Sequence, residues 1–386
     1  MDIITGNKDD LKLLIDGAYQ RLRNCKDNME RYVLIDYLTQ LHELDAAFTG
    51  RKSSFDERRA SLSNSQQRRY MKYIDSLFGR LEDEFIKFKY AYNDHFGLML
   101  TINDSALADV CDDVYATEYT EMPKEEFYEY FFEFLREYNL EEYFDKLVTG
   151  RKIFNRDLTD EHRNPGNVMH DPMKKRSSIV MSGFEYNVPY LLNMGHELGH
   201  VVDLTKLNKK ELDTYMKYSY SSIYGEVIST LFEKLFYDFL FRKKYRIDEL
   251  KENYSEFLFE NRNYVLDGYI LSLLDNQSIR RLACNGLKMD DVIKKISPSF
   301  ERLDEIEYHL DGRFLSTWTT PLYAFGDYFS TVLKDNVQKE GFDSKMMRKF
   351  MGLRTGEFNP DLLDSLGFEM EDYQKVYRRD VSRLKK

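Results

Sequence analysis

Residues 195–204 read GHELGHVVDL. On an α-helix, positions i and i+4 share a face, so His196 and His200 can point at one atom. Zinc accepts neutral imidazole nitrogen, prefers four ligands, and in a hydrolytic site leaves one of the four to water. Glu197 lies about 100° further round the same helix. Its carboxylate would stand beside such a metal and could take a proton from the water without being a ligand. The string is short, however, and an ordinary core helix with two satisfied histidines would read the same way. A third ligand decides between the two.

The composition narrows the setting. The chain has 386 residues and a net charge of −11. That length buries a core easily, and the charge argues against a nucleic-acid-binding surface. There are 29 Tyr and 27 Phe but only seven Pro, which suits long aromatic-rich helices. Cys25, Cys111 and Cys284 are odd in number and far apart, so neither a disulfide framework nor a cysteine zinc site is expected. The opening MDIITGNKDD lacks a basic segment followed by an apolar run, and stretches such as LFYDFLF are too short to cross a bilayer. The expectation is a soluble, cytoplasmic protein that contacts neither membrane nor nucleic acid.

Most of the chain has helical periodicity. Apolar spacings of three and four run through 8–48 and recur in about 66–98, 123–147, 209–242, 244–274 and 320–338. The region from Gly150 to Pro189 differs: it holds Pro165, Pro172, Pro189 and the turn-forming NPGN at 164–167. Within it SSIVMSGF, 177–184, is β-branched and apolar and reads as a strand. Pro189 suits the first turn of the helix that carries the histidines. A strand just before that helix invites an extended substrate, because peptides commonly bind by adding to a sheet edge. It reads equally well as a structural hairpin. The expected organisation is an N-terminal helical lobe over 1–150 and a metal-bearing lobe over 151–386, or both as one compact unit.

The third ligand is sought in YGEVISTLFEKLFYDFL, 224–240. Glu226, Ser229 and Glu233 fall at i, i+3 and i+7, a polar stripe on a helix otherwise apolar around most of its circumference. A carboxylate buried there is costly unless it is paired or binds a metal. Glu211 and Asp213 sit beside Lys209 and Lys210 in what reads as an exposed helix start, and Asp203 suits an outer-shell or surface role. Glu226 is therefore the best third ligand. Ser229 or Glu233 could hold a ligand imidazole by its other nitrogen, and Glu233 could equally form a salt bridge.

Together, HELGH and the GEVISTLFE that places Glu226 26 residues after His200 resemble the thimet oligopeptidase and oligoendopeptidase F family of zinc metallopeptidases. Glu226, Ser229 and Glu233 match its E-x-x-S-x-x-x-E motif. KKRSSIVMSG at 174–183 and FMGLRTGEFNPDLLDSLGFEM at 350–370 resemble flanking segments of the family, so the likeness covers about 170–370. It implies a mainly α, two-lobed gluzincin with a central cleft and a small β-sheet beside the zinc-binding helix. It implies one zinc per chain and hydrolysis of short peptides, with substrate extended along Ile179, Val180, Met181, Ser182 and Gly183. It also implies a relative reduced to little more than the catalytic region. One departure stands out. The family supplies a late histidine and tyrosines that stabilise the oxyanion, whereas STWTTPLYAFGDYF, 316–329, has Tyr323 and Tyr328 but only Ser316 near the histidine's place. Both tyrosines read equally as core residues. Two other readings stay open: a catalytically idle relative that binds peptides or a protein partner, and a helical scaffold with an accidental motif.

Overall fold

The structure is a computed structural model that describes residues 4–48, 81–92, 94–110, 119–156, 166–171, 176–206, 223–283, 320–353 and 358–385. It is mainly α-helical, with one small three-stranded sheet among the described residues. The chain begins with α1 (Lys8–Asn24) and α2 (Asn28–Phe48), and after a helical stretch at 81–91 comes α3 (His95–Leu107). Next are α4 (Lys124–Glu137), α5 (Glu141–Thr149) and the strands β1 (Ile153–Arg156), β2 (Gly166–Asp171) and β3 (Arg176–Ser182). The histidine helix is α6 (Val188–Thr205), followed by α7 (Val227–Lys243), α8 (Ile247–Leu273) and α9 (Asn276–Ala283). The described chain ends with α10 (Thr320–Glu340), α11 (Lys345–Leu353), α12 (Pro360–Asp364) and α13 (Met370–Val381). No helix among the described residues is long and apolar enough to cross a membrane.

Two compact units interleave along the chain. One unit takes Met1–Ile74, Glu118–Lys217 and Phe236–Lys243. The reason the first helices belong here is the sheet. Leu11, Ile15 and Ala18 of α1 and Tyr37, Leu38, Leu41 and Leu44 of α2 bury themselves against Phe154, Met169 and Val180. An apolar helical stripe needs such a partner face, and each large side chain removed from water contributes about 1.5–3 kcal/mol. The opposite sheet face is covered by α6, which packs on β2 and β3. Asn187 starts α6 by accepting a hydrogen bond from the Tyr190 N–H at 3.1 Å, and Pro189 occupies the first turn as the sequence implies. The last turns of α7 lie in this unit too, where Phe236 stacks on Phe134 of α4 with ring centroids 4.2 Å apart.

The other unit takes Asp75–Thr117, Tyr218–Leu235 and Lys244–Lys386. Helices α3, α8, α10 and α13 pack on one another. Phe88 and Phe96 meet Phe325 of α10 with centroids 4.7 and 5.3 Å apart.

Several expected helices are shorter than their apolar pattern. The stretch 8–48 breaks at Cys25, whose backbone is extended. The stretch 123–147 breaks after α4, where Asn139 adopts a left-handed φ of 56°, a conformation asparagine tolerates better than most residues. The stretch 66–98 is helical at 81–91 and restarts at His95, its first part lying outside the described residues. The expected helix at 209–242 is described only from Val227.

Candidate metal centre and catalytic site

His196 and His200, both half-buried, sit one turn apart on α6 with ring centroids 5.1 Å apart. With Glu226 each offers one ligand atom, and these atoms all lie within 4.8 Å of one another. Two ligands about 2.0–2.2 Å from a tetrahedral zinc stand somewhat over 3 Å apart. Two imidazoles with one carboxylate is a donor set of a hydrolytic zinc centre, so these three side chains could hold such an ion. Glu226 stands one residue before α7, and its carbonyl accepts the Thr230 N–H at 3.1 Å. Ser229 holds it directly: the hydroxyl lies 3.0 Å from both the Glu226 carbonyl oxygen and Oε2. The serine expected beside an imidazole thus braces the carboxylate. Glu233 is half-buried two turns further on; burial, then the Glu260 carboxylate and more weakly the charge of Glu233, hold the Tyr264 phenol well above its ordinary range.

Glu197 is almost fully buried, 3% exposed, on the face of α6 that looks at β2. The first residue of β2, Gly166, makes this possible. A Cβ there would stand 2.4 Å from Asn193 Oδ1 and 2.8 Å from Glu197 Oε1. The strand backbone and the carboxylate occupy the space a side chain would need. Gly166→Ala should therefore displace the Glu197 carboxylate while leaving α6 folded. An error of about 1 Å in a reacting group costs up to ~100-fold in rate, so turnover should fall about 10–100-fold with zinc content unchanged. Turnover equal to wild type in this variant would show that the carboxylate can move freely without consequence. Asn193, one turn before Glu197, has its Oδ1 buried with no hydrogen-bond partner among the described residues. Four residues beyond Gly166 on the same strand face, His170 is buried with Nδ1 2.9 Å from the Ser177 hydroxyl. Burial, and secondarily the charge of His200, pushes its pKa down to about 3, so it is a neutral imidazole.

The late tyrosines diverge. Gly326 of α10 lies against the Glu226 backbone; its would-be Cβ falls 3.1 Å from the Glu226 carbonyl oxygen and 3.2 Å from the Glu226 Cβ. Tyr323, at i−3, lies about 60° round α10 from Gly326, whereas Tyr328, at i+2, lies about 200° round. Tyr323 is half-buried and stacks on Tyr264 with centroids 4.7 Å apart. Tyr328 is 3% exposed and packs against His95, Phe329 and Tyr373. Tyr328 is thus a core side chain on the far face of the helix, which is the packing alternative its sequence left open. Ser316 lies outside the described residues.

The substrate strand needs correction. Residues 179–183 were expected to present a sheet edge, but β3 is the central strand. Its Ile179–Ser182 pair in parallel with Ile153–Arg156 of β1, and Arg176–Met181 pair antiparallel with Asp171–Gly166 of β2. Ile179, Val180, Met181 and Ser182 are buried, their backbone groups are spent in the ladder, and Gly183 leaves the strand at a left-handed φ of 60°. Beyond β1, its Ile153 carbonyl already accepts the N–H groups of Thr5 and Gly6 at 2.9 and 2.7 Å. Among the described residues, β2 pairs only with β3, so its outer side is the open edge.

Gly166 and Asn193 beside Glu197 carry no signal in the linear sequence, whereas Lys234 of α7 does: it is buried and paired with Asp327 of α10. A lysine inside the apolar run LFEKLFYDFL was the one available signal: on a helix apolar all round, such a charge must be paired.

No protein-family model and no curated protein sequence matches the chain. Among solved structures, the crystal structure of a Chlamydophila abortus protein with a provisional peptidase designation is similar, with a TM-score of 0.49 and 12% identity over 96% of this chain. The chain spans 63% of the length of that protein. A likeness this loose leaves the functional reading to rest on the site itself.

Proposed function

We propose that the chain is a zinc-dependent endopeptidase that hydrolyses short, unstructured peptides. The observation that carries this reading is the meeting of His196, His200 and Glu226 within 4.8 Å, with buried Glu197 on the same helix as the two histidines. The resemblance of HELGH and E-x-x-S-x-x-x-E to oligopeptidase motifs supports it. His196, His200 and Glu226 would hold the ion, and Ser229 would keep the Glu226 carboxylate oriented. When bound, zinc supplies polarisation of a water and of the scissile carbonyl. Glu197 takes the water's proton and delivers it to the leaving amine. The substrate runs extended along the open edge of β2, whose first residue touches Glu197. Tyr323 is the tyrosine proposed to donate to the developing oxyanion, since donors aimed at that charge supply some of the largest catalytic contributions.

The test is a mixed library of flexible peptides offered beside stable folded proteins. Peptides should be cut internally, folded proteins should survive, a chelator should stop the reaction, and one equivalent of zinc per chain should restore it. Full zinc with no cleavage of any peptide would favour a binding role for the same residues.

A further inference from the structure

A second polar stripe begins at Glu226, one residue before α7, and continues along that helix. Thr230 and Lys234 follow it at i+4 and i+8 and so lie on nearly the same face. Both are buried, 3% and 2% exposed. This stripe faces α10 at two neighbouring residues. Gly326 lies against Glu226 and Thr230; its would-be Cβ falls 3.0 Å from Thr230 Oγ1 and 3.1 Å from the Glu226 carbonyl oxygen. Asp327, fully buried, receives Lys234 Nζ on its carboxylate at 2.6 Å and on its backbone oxygen at 3.0 Å. Thr331, one turn on, also bonds Lys234 Nζ, and the other Asp327 oxygen accepts from Tyr373 at 2.6 Å. Tyr373 in turn bonds Asn103 at 2.8 Å.

A buried ion pair of this kind is a poor source of net stability, because desolvating two charges offsets their attraction, but it is highly selective for one arrangement. A slide of α7 along α10 would strand two charges in an apolar interior. The same slide would drive Thr230 and the Glu226 backbone into the Gly326 contact. The pair and the glycine are adjacent in sequence, so fixing one fixes the other.

We propose that the Lys234–Asp327 ion pair sets the register of α7 on α10 and so positions Glu226 as a metal ligand. The inference rests on the zinc reading above. Lys234 and Asp327 are positioning residues: neither touches the ion or the substrate, and their effect reaches the metal through the Glu226 backbone. Outer-shell partners that orient a ligand are typically worth about 10–100-fold in metal affinity.

The test separates register from stability. Lys234→Met alone leaves a buried, unpaired carboxylate and should lower the melting temperature. The double variant Lys234→Met/Asp327→Leu removes both charges and should melt at or above the wild-type temperature. It should nevertheless bind zinc at least ~10-fold more weakly in competition with a chromogenic chelator, and its cobalt-substituted form should show a shifted visible spectrum. Gly326→Ala, which crowds Glu226 without removing a charge, should weaken zinc in the same direction and covers the case of a double variant that fails to fold. Wild-type zinc affinity and cobalt spectrum in the double variant or in Gly326→Ala would overturn the inference while leaving the metal site intact. A wild-type protein that takes up no zinc would overturn the metal reading beneath it.

Discussion

Glu197→Gln is expected to keep its zinc and to lose at least ~100-fold in peptide hydrolysis, the usual scale for removing a general base. The substitution preserves shape and most hydrogen-bonding capacity and deletes only the ability to accept a proton. That selectivity matters because Glu197 is almost fully buried with Gly166 of β2 directly against its carboxylate. A larger change would disturb packing and confuse two effects. A 100-fold loss corresponds to about 2.7 kcal/mol of barrier. With zinc content matched, that energy belongs to proton transfer. Turnover near wild type at full zinc occupancy would remove Glu197 from the chemistry.

The ligand variants should behave in the opposite way. His196→Ala, His200→Ala and Glu226→Ala should each purify with little or no zinc, because three protein ligands are the minimum for a catalytic site of this kind. Ser229→Ala should be milder. Its hydroxyl braces Glu226 Oε2 at 3.0 Å without ligating, so a loss within the about 10–100-fold range of outer-shell partners is expected. Elemental analysis and chelator competition read both. A Glu226→Ala protein with normal zinc would move the third ligand elsewhere, with buried Asp203 of α6 next to test.

Local signals carried most of what the sequence could reveal. The i,i+4 histidines, the Pro189 start of α6 and the i,i+3,i+7 stripe of α7 are properties of single helices, and single helices obey short-range geometry. The mainly helical class and the strand at 177–184 were legible for the same reason. What was hidden depends on pairing between distant segments. That β3 is central rather than an edge follows from β1 and β2, and IFNR and GNVMHD are too short and mixed in character to read as strands. That α1 and α2 belong with the sheet depends on Phe154, Met169 and Val180 supplying the face their apolar stripes need. Tyr323 and Tyr328 are equivalent in a linear string, and only the contact of Gly326 with Glu226 shows which side of α10 lies against Glu226. Helix ends failed where a single residue such as Asn139 turned left-handed inside an apolar pattern.

The central claim is that His196, His200 and Glu226 form one metal site. Anomalous diffraction at the zinc edge, from crystals grown with one equivalent of zinc, tests it most directly. The expected result is one strong peak about 2.0–2.2 Å from an imidazole nitrogen of each histidine and from a Glu226 carboxylate oxygen. Full zinc occupancy at any other set of side chains, or no peak among these three, would contradict it.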